Sequence, residues 1–166
     1  MTKTTAWLDE NEVQAWQGFL RASTRLLERL DAELETHARI SLADYETLVH
    51  LAAEASGELR MTELAARTLV SRSGLTRRLD RLVESGLVSR CNCPTDRRGV
   101  LAVITAEGRD RLAEAAPTHA DGVRRHFIRQ LQGQDLCALA RSLNAIVESA
   151  ERRPAVDEPG ASARLS

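Results

Sequence analysis

The sequence predicts a mainly α-helical chain carrying one small β-hairpin, on the strength of three observations. Apolar residues recur at steps of three and four through most of the 166 residues, the period of a helix with one buried face. One region breaks that period: LVSRCNC and VLAVIT are rich in β-branched and apolar residues and flank CPTDRRG, whose proline, aspartate and glycine suit a turn. Glycines 57, 86 and 133 punctuate the helical stretches. The length suits one domain, or one domain with an appended helical layer, and allows a core that needs no outside staple.

The elements follow in order. From Asp9 to about Ala38, Val13, Trp16, Leu20, Leu27, Leu30 and Leu34 share one face of a long amphipathic helix. At 1.5 Å per residue it reaches about 40 Å, more than a small domain needs to cover itself, so its surplus apolar face is expected to meet another chain. The alternative is packing against the chain's own C-terminal helices. Ser41, with Asp44 in the first turn, caps a second helix through Tyr45, Leu48 and Leu51 to a break at Ser56 and Gly57. Thr62 is expected to cap a short helix, MTELAARTL, and Ser71 another, RSGLTRRLDRLVES, which Gly86 ends in a left-handed cap. The hairpin comes next, with a long tip. Thr105 caps the following helix, which Pro117 is expected to kink or interrupt before GVRRHFIRQL resumes. Beyond Gly133, Leu136, Leu139, Ala140, Leu143, Ile146 and Val147 form one face of a last helix, and the polar ending RRPAVDEPGASARLS reads as a disordered tail.

Charge is distributed unevenly. Residues 1–60 carry 6 basic and 11 acidic side chains, residues 61–98 carry 8 and 4, and residues 99–166 carry 9 and 9, so a block of net +4 sits within an overall charge of −1. One basic block in an acidic or neutral frame is the footprint of a single module that approaches phosphates. The bland alternative is compositional: Lys3 is the one lysine, and arginine and alanine are both abundant. The longest apolar runs fall far short of a membrane helix, so no membrane partner is expected. Cys91, Cys93 and Cys137 are an odd number with no secretory leader before them, which argues against a secreted disulfide framework and for a cytoplasmic protein.

On a helical wheel, Leu75, Leu79, Leu82 and Val83 of residues 72–85 share one sector, while Ser73, Arg77, Asp80, Arg81 and Glu84 lie opposite. Small residues crowd the N-terminal half of the free face, which lets such a helix enter the major groove of DNA as the second helix of a helix-turn-helix. Arg77 is the leading candidate for a forked contact to guanine, with Thr76 a further donor, while Ser71, Arg72 and Ser73 suit phosphate and groove contacts at the helix start. The competing reading is a capped helix with solvated arginines. The hairpin favours the first: a turn holding Arg97 and Arg98 directly after a recognition helix is a wing that reaches the minor groove. Asp96 is expected to brace Arg98 by a charge-assisted hydrogen bond; the alternative is a plain turn aspartate.

This order, with MTELAARTLVSRSGLTRRLDRLVESGLVSR followed by PTDRRGVLAVITAEG, resembles the MarR family of bacterial transcription regulators over about residues 10 to 150. Asp96, Arg98 and the strand ending in Thr105 match the family's wing pattern. The resemblance implies a homodimeric winged helix-turn-helix repressor or activator whose first and last helices interlock, on a pseudo-palindromic site with half-sites about 10 base pairs apart. The expected division is a flexible start (1–8), a helical dimerisation region (9–38 and 106–150), a winged helix-turn-helix DNA-binding domain (39–105) and a disordered tail (151–166). Many relatives release DNA on binding a small aromatic ligand. Trp16, Phe19, Tyr45 and His50 are candidates to line such a pocket, although aromatics at helical spacing are commonly core.

Cys91 and Cys93 on one strand face would lie about 6.6 Å apart at Cα, near the limit for a disulfide. Two thiolates make half a zinc site, and no histidine adjacent in sequence completes it, so neither a metal nor a cofactor is expected. A thiol near Arg90, Arg97 and Arg98 is the alternative route to regulation, by oxidation, against the reading of inert cysteines. No nucleophile elbow, phosphate loop or HExxH spacing is present, so the chain reads as a binding module and not an enzyme.

Overall fold

A computed structural model of the protein describes residues 7–68, 72–93 and 96–152. The chain divides into two compact units, residues 1–130 and 131–166. The expected flexible start and disordered tail fall almost wholly outside the described residues, as does Ser71 with its expected cap.

In the first unit, α1 (Glu10–Ala38) opens with Asp9 as N-cap. The Asp9 carboxylate accepts from the Glu12 N–H at 2.9 Å and the Asp9 N–H donates to the Glu12 carboxylate at 2.8 Å, a reciprocal capping box. The helix ends where Arg39 turns left-handed, at φ 52°. Only Leu30 and Leu34 of its 29 residues are buried. The Ser41 hydroxyl caps α2 (Leu42–Ala53) by accepting from the Asp44 N–H, and Asp31 of α1 accepts from the Leu42 N–H at 2.7 Å, fixing the corner between the two helices.

A strand with no counterpart in the sequence reading, β1 (Glu58–Arg60), follows Gly57, whose φ of +71° makes the reversal. It completes a three-stranded antiparallel sheet in the order β1-β3-β2, with β2 spanning Val88–Cys93 and β3 Asp96–Ile104. Leu59 opposite Ala102 puts the sheet's inner face against the helices. Between β1 and β2 lie α3 (Met61–Arg67) and α4 (Arg72–Glu84). Thr62 does not cap α3. The N-cap is Arg60, whose N–H donates to the Glu63 carboxylate, because β1 runs directly into the helix and leaves Thr62 inside its first turn. On α4, Leu75, Leu79 and Leu82 are buried as expected, whereas Val83 stays 36% exposed, beyond the edge of the packed face. Gly86, at φ +75°, ends this helical segment.

Thr105 caps α5 (Ala106–His126), accepting from the Gly108 N–H at 3.0 Å. The expected interruption at Pro117 is absent: α5 is helical from end to end. Proline removes one N–H and orphans the carbonyl four residues back. Here both Pro117 and Ala113 are exposed, so water can take the partner's place, while Ala115 in between is fully buried and holds the segment down. A 3-10 turn, Ile128–Leu131, follows. The core of this unit gathers Leu30 and Leu34 of α1, Leu48 and Leu51 of α2, Leu64 of α3, Leu75 and Leu79 of α4, and Ile104 of β3.

The second unit holds α6 (Leu136–Glu151), capped by Asp135, which accepts from the N–H groups of Cys137 and Ala138. No residue of α6 is buried, and Leu136, Ile146 and Val147 are exposed. No helix among the described residues is long and apolar enough to cross a membrane.

Candidate nucleic-acid interface

The geometry of α3, α4 and the β2–β3 hairpin sorts the arginines of the basic block. Arg67 reaches back to Glu54, the C-cap of α2, at 2.5 Å. Arg78 and Arg81 of α4 both turn toward Asp44 of α2, at 3.8 and 3.7 Å. These are charge pairs rather than hydrogen bonds, since Asp44 Oδ1 is buried without a hydrogen-bond partner. Arg90 of β2 donates to Asp80 of α4 at 2.7 Å and to the Thr76 carbonyl at 3.4 Å. Arg77 differs: it is exposed and has no hydrogen-bond or ion-pair partner among the described residues. An unneutralised guanidinium on an exposed helix face is the arrangement that suits a base edge or phosphate. Thr76 is exposed beside it.

Four arginines therefore lie beside an acid of the same chain, although Arg81 stays largely exposed, and the wheel alone could not show these pairings. Their acids come from α2 and its C-cap or from α4 itself, so the positive field of residues 61–98 is narrower than the charge count implies. Ser73 and Arg72 lie in the first turn of α4, as the sequence places them; their side chains, like those of Cys93, Asp96, Arg97 and Arg98, lie outside what the structure describes.

The backbone of the hairpin corrects the expected long tip. β3 begins at Asp96, which pairs with Cys93, so the connection is reduced to residues 94 and 95, outside the described residues. The register jumps between Asn92, opposite Val100, and Cys93, opposite Asp96, which leaves residues 97, 98 and 99 as extra residues of β3. A strand end bulged in this way bends and twists away from the flat sheet, and Arg97 and Arg98 sit in the bulge.

The four pocket candidates are not gathered in one place. Trp16 and Phe19 stack on each other on α1, with ring centroids 6.1 Å apart, and are 53% and 45% exposed. Tyr45 is buried and packs on the His119 ring of α5 at 4.6 Å. Burial pushes the Tyr45 phenol up and the His119 imidazole down, the latter against the opposing charge of Glu46. Tyr45 also borders an open cavity of about 540 Å³ between α2 and α5, with Val49, Ala52, Leu112, Ala116 and Arg109. Neither Trp16, Phe19 nor His50 lines it. Arg109 escaped the sequence reading because nothing local distinguishes it from other helix-face arginines.

Cys91 is exposed in β2, and Cys137 is exposed on α6. Among the described residues no group of three or more histidine, cysteine or acidic side chains could hold a metal.

Comparison with known proteins decides the family. A MarR family model matches residues 40–99, the segment from the start of α2 to the bulge of β3. The crystal structure of AbsC, a MarR family transcriptional regulator from Streptomyces coelicolor, is 36% identical and superposes with a TM-score of 0.83 over 90% of this chain and 100% of that one. The chain belongs to the MarR family.

A second MarR family regulator from Streptomyces coelicolor, crystallised in complex with DNA, is 33% identical, with a TM-score of 0.84 over 90% of this chain and 94% of its own. The HTH-type transcriptional repressor YetL of Bacillus subtilis is 39% identical over 61 residues, a segment spanning 36% of that repressor. This MarR family member is accordingly a winged helix-turn-helix transcriptional regulator and not an enzyme.

Proposed function

We propose that the chain binds a specific duplex DNA site as a homodimer, with α4 in the major groove and the β2–β3 hairpin in the adjacent minor groove. The observation that carries this reading is Arg77, which is exposed and has no charge partner among the described residues, whereas Arg78 and Arg81 lie beside Asp44. Arg77 and Thr76 face base edges; Ser71, Arg72 and Ser73 take phosphate and groove contacts at the helix start; Arg97 and Arg98 enter the minor groove, with Asp96 bracing Arg98. A relative 33% identical over nearly its whole length has been crystallised on DNA, which supports the assignment.

A second copy covers the apolar residues this chain leaves in water: Trp16, Phe19, Leu20 and Leu27 on α1, and Leu136, Ile146 and Val147 on α6. Residues 39–105 then form the DNA-binding part, and 9–38 with 106–150 the dimerisation part. Release of DNA follows binding of a small aromatic acid in the α2–α5 cavity. Its apolar walls suit a ring and Arg109 a carboxylate. A second reading rests on the exposed Cys91: oxidation of a thiol in the wing strand weakens binding.

The test is a salt titration of binding to a duplex selected by the protein itself. Arg77→Ala is expected to weaken specific binding by about 1 to 3 kcal/mol and to relax the preference at one base pair, while the affinity of both proteins falls with salt. Unchanged affinity and preference in Arg77→Ala would remove α4 from the interface. A peroxide-treated sample binding as tightly as a reduced one would remove the thiol reading.

A further inference from the structure

We infer that Asp80 and Arg90 form a brace that sets the angle between the recognition helix and the wing, and that neither residue contacts DNA. This rests on the proposed DNA-binding reading and adds to it two positioning residues that the wing pattern does not include.

The geometry is a fork. Arg90 places one guanidinium nitrogen 2.7 Å from the Asp80 carboxylate and the other 3.4 Å from the Thr76 carbonyl, so a single side chain grips two successive turns of one α4 face. The grip comes from the inner face of β2: Val88, two residues earlier on the same side of the strand, is buried in the core, and Arg90 takes the next inward position. Paired with Ala102 of β3, Arg90 is, among the described side chains, the β2 residue furthest toward the tip that bonds to α4. The hairpin continues past this point to Cys93, about 10 Å further along the strand. A rotation of about 10° at Arg90 therefore displaces the start of the bulge by nearly 2 Å, enough to lift a side chain out of hydrogen-bond reach of a groove.

The charge arithmetic points the same way. Asp80 lies three residues beyond Arg77, on the margin of the face presented to DNA, where an unpaired carboxylate would repel phosphate. Arg90 cancels it locally. Both side chains are partly exposed, 32% for Arg90 and 47% for Asp80, so the pair contributes little to overall stability. Its effect lies in where it holds the wing.

The experiment follows from a difference in sign. Removing an acid beside a DNA-binding surface, with no other effect, tightens binding; removing a brace loosens specific binding. Full-length Asp80→Asn, Arg90→Met and the exchanged pair Asp80→Arg with Arg90→Asp are compared with wild type on a duplex that wild type has selected from a random pool. Hydroxyl-radical cleavage reads the minor groove, guanine N7 methylation reads the major groove, and thermal unfolding is measured alongside. The expected result for Asp80→Asn and Arg90→Met is specific binding weaker by about tenfold, with minor-groove protection lost, major-groove protection kept, and a melting temperature near that of wild type. The exchanged pair is expected to recover part of the minor-groove protection. Tighter specific binding by Asp80→Asn, or an intact minor-groove footprint in both single variants, overturns the brace alone. Absence of duplex selection by wild type overturns the DNA-binding reading, and the brace with it.

Discussion

Replacing Thr105 with alanine removes two hydrogen bonds at the point where the end of α4, the β2–β3 hairpin and α5 meet. The Thr105 hydroxyl donates to the Gly86 carbonyl at 2.8 Å, just past the end of α4, and accepts from the Gly108 N–H at 3.0 Å, in the first turn of α5. The backbone bond from the Thr105 N–H to the Leu87 carbonyl survives the substitution. Loss of an N-cap costs about 1 kcal/mol, and loss of a neutral hydrogen bond about 1 kcal/mol more, less whatever water restores at the exposed Gly86 carbonyl. The expected cost is thus about 1.5 to 2 kcal/mol, or about 3 to 8 °C in melting temperature for a chain of this size at fixed protein concentration. Thr105→Ser keeps both bonds and is expected to lose less than half as much. Urea unfolding followed by far-ultraviolet circular dichroism reads the difference as a shift in midpoint at constant slope. A Thr105→Ala variant as stable as wild type, or a serine variant as damaged as the alanine variant, would refute this account of the junction.

Three further outcomes are expected. In Gly108→Ala the new Cβ would sit 2.1 Å from the Leu87 carbonyl oxygen and 2.9 Å from Ile104 Cγ1, so α5 must move off the sheet; a loss of about 3 kcal/mol or more is expected, read as a large drop in unfolding midpoint. Leu79→Ala opens a cavity at a side chain with no exposure and should cost about 2 to 5 kcal/mol in urea unfolding. Glu33 of α1 is held below the usual carboxylate range chiefly by its hydrogen bond with His126 of α5, with burial opposing and the charges of His126, Arg125 and Arg29 assisting. A lowered carboxyl pKa stabilises the fold above the ordinary value of 4.5 and loses that contribution as pH falls through the lowered value. Glu33→Gln should therefore be destabilising near neutral pH and approach wild type in acid; an equal deficit at about pH 7 and about pH 3 would contradict it.

The parts of this fold legible in the sequence are those whose cause is local. Ser41 and Thr105 declare helix starts because a cap needs only its own oxygen and an N–H two or three residues on. Gly86 declares a left-handed stop for the same kind of reason. β1 was not legible: Glu58, Leu59 and Arg60 are too few to show a period, and they become a strand only because β3 offers a partner. Pro117 misleads because the helix rule assumes an unsatisfied carbonyl, and the rule relaxes where that carbonyl meets water.

The candidate site divides along the same line. Arg77 could be picked out because a wheel places it opposite three leucines that are in fact buried. The wheel could not reveal that Arg78 and Arg81 answer Asp44, or that Arg90 answers Asp80, because those acids lie on other elements or at a distance in sequence set by the fold. One signal was available for Arg90: a charged residue two places after Val88 on an inward strand face requires an internal partner. Trp16, Phe19, Tyr45 and His50 have only their ring side chains in common, and residue type carries no information about which helix faces which.

The most direct test of the central claim is selection of duplexes from a random pool by the wild-type protein, with the oligomeric state of the bound species measured by sedimentation. The expected result is an enriched pseudo-palindrome with half-site centres about 10 base pairs apart, bound by two chains per duplex, with affinity that falls steeply as salt rises. No enriched sequence, or an asymmetric one bound by a single chain, would contradict it.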